Sequence, residues 1–144
     1  MEENTRSALQ ERFAQEPFAR KFGIRLVDID DGCSTVEMTF TPDMENLFGM
    51  AHGAALFALM DAAFETACNS HGTLALALNV NVTYMASPAP GARLVAHARE
   101  LARTHRTASY DIKLYDHDER LLASCQALAY RKGTPLPFVE QAGQ

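Results

Sequence analysis

The chain has 144 residues, 47% of them hydrophobic, and a formal net charge of -5, which is enough apolar material for a domain that folds without disulfide or metal staples. No basic stripe and no run of five or six like charges occurs, so the electrostatic footprint of a nucleic-acid binder is missing. Three cysteines, Cys33, Cys68 and Cys125, show no C-x-x-C spacing, which argues against a disulfide framework and a zinc site and suits a reducing compartment.

All three cysteines are expected as small core residues. The opening MEENTRSALQERF is charged where a signal peptide is apolar, and no apolar stretch approaches the roughly 20 residues that cross a bilayer. A cytoplasmic location without membrane partners is the expectation. No repeat, low-complexity tract or linker divides the sequence. One domain over 1–144 is expected, with its core at about 17–132 and fraying from Gly133.

In chain order, Thr5 to Gln15 carry Leu9 and Phe13 at helical spacing, and Pro17 stops that pattern, which predicts a short amphipathic helix. From Gly23 the period changes to two. Ile24 and Leu26, then Val36, Met38 and Phe40, flank the turn-forming Asp30-Asp31-Gly32, a hairpin signal that ends at Pro42. The stretch from Gly53 to His71, closed by Gly72, reads as the one long helix. Beyond it, Leu76, Leu78, Val80, Val82 and Tyr84 alternate with more polar residues, predicting a strand with one apolar face. The Ser87 to Gly91 run breaks it. Further strands are expected at Arg93 to Leu101, Thr107 to Tyr115 and Arg120 to Tyr130, the last two joined by Asp116 to Glu119. Consecutive antiparallel strands with one long helix define an α+β fold, the helix lying across one face of the sheet.

That helix, GAALFALMDAAFETACNSHG, is apolar around nearly its whole circumference, and such helices are normally enclosed. Only Asp61 and Glu65 carry charge, one turn apart on one face. A carboxylate there costs several kcal/mol unless it is paired or raises its pKa, and no cation stands three or four residues from Asp61. Either a functional demand retains it, or both acids lie at a wet edge of the helix and aid solubility. Upstream, Asn46, Met50, Ala51, His52 and Gly53 form a loop feeding the first turn, where unpaired N–H groups and the positive end of the helix dipole converge. Gly53, lacking Cβ, lets a substrate oxygen approach that backbone as an oxyanion hole requires, or it is an ordinary helix start. His52 is read as a holder of the loop through its ring nitrogens rather than a base.

Gly53 and Asp61 are eight residues apart, hence ~12 Å along one helix, too far to meet on one carbonyl. If both work, the site is shared by two subunits of a dimer with antiparallel central helices. No G-x-S-x-G elbow is present, Cys68 is read as a buried thiol, and scattered histidines predict no metal and no cofactor.

The run from Asn46 to His71, NLFGMAHGAALFALMDAAFETACNSH, resembles the hotdog-fold thioesterases, specifically the phenylacetic-acid-degradation (PaaI-like) subgroup of the 4-hydroxybenzoyl-CoA thioesterase superfamily. An Asn, then His-Gly-x7-Asp in an apolar helix, carries the likeness, with PFARKFGIRL (Pro17 to Leu26) and NVNVTYMASPAPGARLVAHA (Asn79 to Ala98) beside it. The resemblance implies a curved antiparallel sheet of about six strands wrapped around the helix, a dimer whose sheets join, and a tetramer as a dimer of dimers. It implies Asp61 as general base or nucleophile, Gly53 as oxyanion N–H, Asn46 as orienter of carbonyl or water, and His52 as shaper of the loop. Many relatives carry Arg where this chain has Ser87 before Pro88, leaving Arg103, His105, Arg106 and Lys113 as candidates for the phosphates of coenzyme A.

The expected activity is hydrolysis of an acyl-CoA thioester, with phenylacetyl or hydroxyphenylacetyl groups favoured and a medium-chain acyl group as the other option. Phe48, Phe57, Met60, Phe64, Glu65 and Met85 are the candidates to line the acyl pocket, although aromatic and Met residues at such spacings also serve as plain core. Two rivals stand beside hydrolysis. One is a hydratase or dehydratase in which His52 shuttles protons; the other is a non-catalytic acyl-CoA-binding module.

Overall fold

The computed structural model describes residues 1–139. Helices α1 (Glu3–Ala14) and α2 (Pro17–Phe22) lead into the hairpin of β1 (Arg25–Asp30) and β2 (Cys33–Thr39). The long helix α3 (Gly53–Asn69) follows a loop, and β3 (Thr73–Tyr84), β4 (Arg93–Arg103), β5 (Thr107–Asp116) and β6 (Leu121–Pro135) complete the order. All six strands form one antiparallel sheet, β1-β2-β4-β5-β6-β3, curved around α3. The expected α+β architecture is present.

Small residues explain how α3 seats so closely on the sheet: Ala55, Ala58, Ala62, Ala63 and Ala67 are buried along it, while Leu59, Met60 and Phe64 fill the remaining space. The Phe64 ring meets Tyr110 of β5 edge-on, with centroids 5.4 Å apart, a favourable aromatic geometry. Polar bridges fix the helix lengthwise. Ser34 Oγ of β2 donates to the Ala63 carbonyl at 2.6 Å, and Thr66 Oγ1 donates to Ser34 Oγ at 2.9 Å. Nearer the C-terminus, the Asn69 amide donates to the Ala75 carbonyl at 3.1 Å and its Oδ1 accepts the Ala75 N–H at 2.9 Å. Helix and edge strand are thereby stitched together.

Several elements differ from expectation. Pro17 ends α1 but also begins α2, because its fixed φ and missing N–H suit the first helical position; Gly23, at φ 65°, ends that helix. Helix α3 stops at Asn69, where the Ser70 hydroxyl donates to the Ala67 carbonyl and Gly72, at φ 75°, turns the chain into β3. The single apolar face predicted for β3 is split by a bulge: Ala77 pairs with Ala129 and Asn79 with Leu128, leaving Leu78 as the extra residue. Ala75 is buried on one side of it, Val80 and Val82 pack on the core beyond it, and Leu76 and Leu78 stand half in solvent.

Cys33 is exposed, contrary to the expectation of three core cysteines, whereas Cys68 and Cys125 are buried. Alternation along β2 gives the reason, since Ser34, Val36 and Met38 face the helix and Cys33 falls on the other face. Order also persists past Gly133. Strand β6 runs to Pro135, and Leu136 is buried with Leu9 and Ile29 in a small second cluster; residues 140–144 of the expected frayed tail lie outside the described residues. No helix among the described residues is long and apolar enough to cross a membrane.

Candidate active site

One face of α3 turns away from the sheet, and Asp61 and Glu65 lie on it. Both line a cavity of about 720 Å³. Its other walls come from α1 and the joint to α2 (Phe13, Glu16, Phe18), the start of β3 (Leu74, Leu76), and Leu136 and Phe138 beyond β6. The walls are thus mostly apolar side chains, with Arg12 the one cationic residue among them.

Among the described residues, no ion pair reaches Asp61, Glu65 or Glu16. The consequences show in their acidities. Burial, and secondarily the charge of Glu16, raises the Asp61 carboxyl above the usual carboxylate range. Glu65 exposes more of its surface than Asp61, yet its carboxyl is pushed up to about 8, first by the apolar surroundings, then by the charge and hydrogen bond of Glu16 and by Asp61. Glu16 occupies the N-cap position of α2 but makes no side-chain cap there; it lines the same cavity as Glu65. Cys68 is driven up to about 12 by burial and by the two α3 acids. It is a thiol, not a thiolate nucleophile.

The loop before α3 is built around its own polar residues. Asn46 Oδ1 accepts the N–H groups of Phe48 (2.9 Å) and Met50 (3.1 Å), while the backbone N–H of Asn46 donates to the Met50 carbonyl (2.7 Å). With the amide oxygen taken up by these two N–H groups, the Nδ2 of Asn46 makes no hydrogen bond among the described residues. His52 is the N-cap of α3, its Nδ1 accepting the Ala54 N–H at 3.0 Å. Gly53 follows, and among the described residues its own N–H meets no acceptor. The Tyr84 hydroxyl donates to the Gly53 carbonyl at 3.0 Å, and a Cβ on Gly53 would stand 3.2 Å from the Tyr84 ring. Glycine is therefore what lets β3 clamp the start of the helix.

The match to known proteins falls on these same elements. Residues 48–123 fit the model of the thioesterase superfamily. A putative esterase from Archaeoglobus fulgidus is 35% identical over 78% of this chain and 73% of its own length, and the acyl-coenzyme A thioesterase PaaI of Escherichia coli is 31% identical over 84% and 86%. The chain belongs to the thioesterase superfamily. The solved structure of the E. coli PaaI protein from the phenylacetic acid degradation operon superimposes with a TM-score of 0.87 at 28% identity, covering 92% of this chain and 96% of that one. The hotdog fold and a thioester hydrolase, as expected, are what this family membership means.

Within the thioesterase fold, one chain does not gather all the expected residues. Asp61, Glu65 and Phe64 share the cavity, whereas Asn46, His52 and Gly53 lie outside its walls, about 12 Å along the helix for eight residues. Phe48 and Met85 are exposed, Phe57 is half-buried and Met60 is fully buried. Arg103 lies beside a second cavity at the other end of α3 and stands 3.6 Å from Glu100. Lys113 is bound by Asp111 at 2.6 Å. His105 and Arg106 are exposed, their carbonyls accepting from Arg131. Two participants are missing from the sequence reading. Glu16 resembles any other charge on a polar helix, and only its place ahead of Pro17 marks it as a joint. Tyr84 reads as one more strand residue; a large ring opposite a helix-starting glycine was the available signal.

Proposed function

We propose that this thioesterase hydrolyses acyl-CoA thioesters to the free acid and coenzyme A, favouring phenylacetyl and hydroxyphenylacetyl groups, at sites shared by two subunits of a cytoplasmic homodimer that pairs into a tetramer. The observation that carries the proposal is Asp61, a half-buried carboxylate with no ion-pair partner among the described residues, facing a mostly apolar cavity, its carboxyl raised by burial above the ordinary carboxylate value. The name of the E. coli relative supports coenzyme A as the thiol. Cavity size and mostly apolar walls suit an aryl acyl group.

Asp61 and Gly53 are too far apart on one helix to act on one carbonyl, which favours a two-fold dimer that supplies one residue from each subunit. Two further features support it. Strand β3 leaves one edge unpaired at the end of the sheet, and Leu47, Phe48 and Met50 expose a cluster of large apolar side chains on the loop before α3, both surfaces that gain from being covered. In such a site the thioester oxygen lies at the Gly53 N–H, and Asn46 Nδ2 orients the carbonyl or the water. Asp61 then removes a proton from water, whose oxygen bonds to the carbonyl carbon, or attacks that carbon itself to form an anhydride that water opens. In the first case the C–S bond breaks and the thiolate takes up the proton that Asp61 removed from water; in the second the C–S bond breaks as the anhydride forms, and the thiolate takes up the proton released when water opens the anhydride.

Hydration chemistry through His52 has less support, since that ring caps α3 at an exposed position and lies outside the cavity. The test is release of thiol from a panel of acyl-CoA esters by the wild-type protein and by Asp61→Ala, with crotonyl-CoA hydration measured alongside. Hydrolysis by the wild type that Asp61→Ala abolishes is the expected result. Full activity in the variant, or hydration without thiol release, overturns the proposal.

A further inference from the structure

Two peptide units meet at Gly53, and three of their four polar groups are held. The His52 carbonyl accepts the N–H of Ala55 at 3.0 Å and that of Leu56 at 3.4 Å. On the other unit, the Ala54 N–H donates to His52 Nδ1 at 3.0 Å, and the Gly53 carbonyl accepts the Tyr84 hydroxyl at 3.0 Å. The fourth group, the Gly53 N–H, meets no acceptor among the described residues. A peptide unit is planar, so an anchored His52 carbonyl sends the Gly53 N–H the opposite way, out of the helix start. Glycine is the residue least able to keep such an arrangement by itself, since without Cβ its φ and ψ are free to wander. Tyr84 restrains it from outside the helix. Its hydroxyl holds the carbonyl, and its ring lies so near that a Cβ on Gly53 would stand 3.2 Å from Cζ. The ring is itself anchored at the sheet: Tyr84 ends β3 and pairs with Ala123 of β6, and the next residue, Met85, donates its N–H to the Leu122 carbonyl at 2.9 Å.

We propose that Tyr84 is a positioning residue for the oxyanion: it fixes the orientation of the Gly53 N–H that receives the charge developing on the thioester oxygen. The inference rests on the thioesterase reading and on Gly53 as the donor within it. An oxyanion donor works because its orientation is set before the charge arrives, so a looser Gly53 costs the transition state more than the bound substrate. Tyr84 and Gly53 belong to one chain, so each subunit carries its own completed hole, whichever subunit supplies the acid. The grip adds little to the stability of the fold, because the hydroxyl bond lies open to water, where solvent replaces a lost partner.

Tyr84→Phe keeps the ring and deletes the hydroxyl. Its kcat for phenylacetyl-CoA is expected to fall roughly tenfold, short of the 10²- to 10³-fold that loss of a whole oxyanion donor costs, with KM and the midpoint of thermal unfolding unchanged. Coupling to Gly53 is read from a double-mutant cycle. Gly53→Ala sets a Cβ against the ring and displaces the clamp, so Tyr84→Phe added to it lowers kcat no further. Nitrogen-15 NMR of the unliganded protein gives a readout free of activity: the Gly53 amide resonance is sharp in the wild type and broadened in Tyr84→Phe. The donor itself is tested by Gly53→Pro beside Gly53→Ala, which share the Cβ and differ in the N–H. Proline suits the first helical position, and His52, at φ -66° and ψ 130°, already has the backbone that a residue before proline adopts. Activity of Gly53→Pro well below that of Gly53→Ala supports the donor. With the donor upheld, equal factors for Tyr84→Phe in the wild-type and Gly53→Ala backgrounds, an unchanged Gly53 resonance, or a loss of kcat that tracks a lowered unfolding midpoint overturns the inference alone. Equal activity of Gly53→Pro and Gly53→Ala overturns Gly53 as the donor, and the inference with it.

Discussion

Midway along α3, Asp61 and Glu65 face a mostly apolar cavity and make no ion pair among the described residues, and both carboxyls are pushed up. At the C-terminal end of the same helix, His71 Nε2 meets Glu100 Oε2 at 2.8 Å, the Tyr110 hydroxyl donates to that same oxygen at 2.7 Å, and Arg103 approaches the other at 3.6 Å. Burial pushes Glu100 up, but the hydrogen bonds from Tyr110 and His71 and the charges of His71 and Arg103 outweigh it and leave the carboxyl below its ordinary value. The helix and the chain just past its end thus border two kinds of acid cluster, one hydrogen-bonded and ion-paired around Glu100 and one without ion pairs among the described residues around Asp61 and Glu65. The difference separates what holds the fold from what is free to do chemistry: partners that stabilise a carboxylate also use up its capacity to accept a proton.

The largest test of that contrast is Asp61→Asn. It removes the uncompensated acid while keeping its shape, and is expected to lower kcat/KM roughly 10³-fold while thermal unfolding shows the fold intact. At the paired end, Tyr110→Phe deletes the hydroxyl that Glu100 accepts inside the core, at a cost of about 1 to 3 kcal/mol in denaturant unfolding, and kcat is expected to hold. If Tyr110→Phe lost activity without losing stability, the division between the two clusters would be wrong.

Stability as a function of pH sharpens the same comparison with a smaller effect. Glu65 has a raised carboxyl, so the folded protein keeps a proton that the unfolded chain releases; its contribution to stability therefore declines as pH rises from the ordinary carboxylate range toward about 8. Glu100 is lowered, so its contribution is present above the ordinary value of 4.5 and fades as pH falls through the folded value. Glu65→Gln is expected to flatten the alkaline side of the curve, and Glu100→Gln the acid side; exchanged slopes would refute both assignments. The smallest effect is expected of Gly53→Ala. Tyr84 is half in solvent and can yield to the new Cβ, so stability changes by no more than about 1 kcal/mol while kcat/KM falls as the clamp on the helix start shifts.

Much of this was legible in the sequence, and the reason is contrast. Asp61 stood out because a charge in GAALFALMDAAF has no bland neighbours to hide among, and the strands stood out because a period of two differs from 3.6. Glu16 did not stand out, since α1 is rich in charges and nothing local says which of them folds inward. The bulge at Leu78 is equally silent: alternation continues through it in sequence and changes face only when β6 pairs alongside. Leu136 sits past a glycine and a proline that read as an ending, and its burial depends on Leu9 and Ile29, residues more than a hundred positions away. Local pattern encodes elements; contacts between distant segments are encoded only jointly.

The bulge at Leu78 also bears on how the chain avoids unwanted company. An edge strand of twelve residues with half-exposed leucines is a template on which any extended apolar segment could grow into aggregate. A bulge increases the local twist and changes which side chains stand on which face partway along the strand. Full-length pairing then demands an incoming strand with the same interruption at the same place. A second copy of this chain meets that demand by symmetry, and a stray peptide does not.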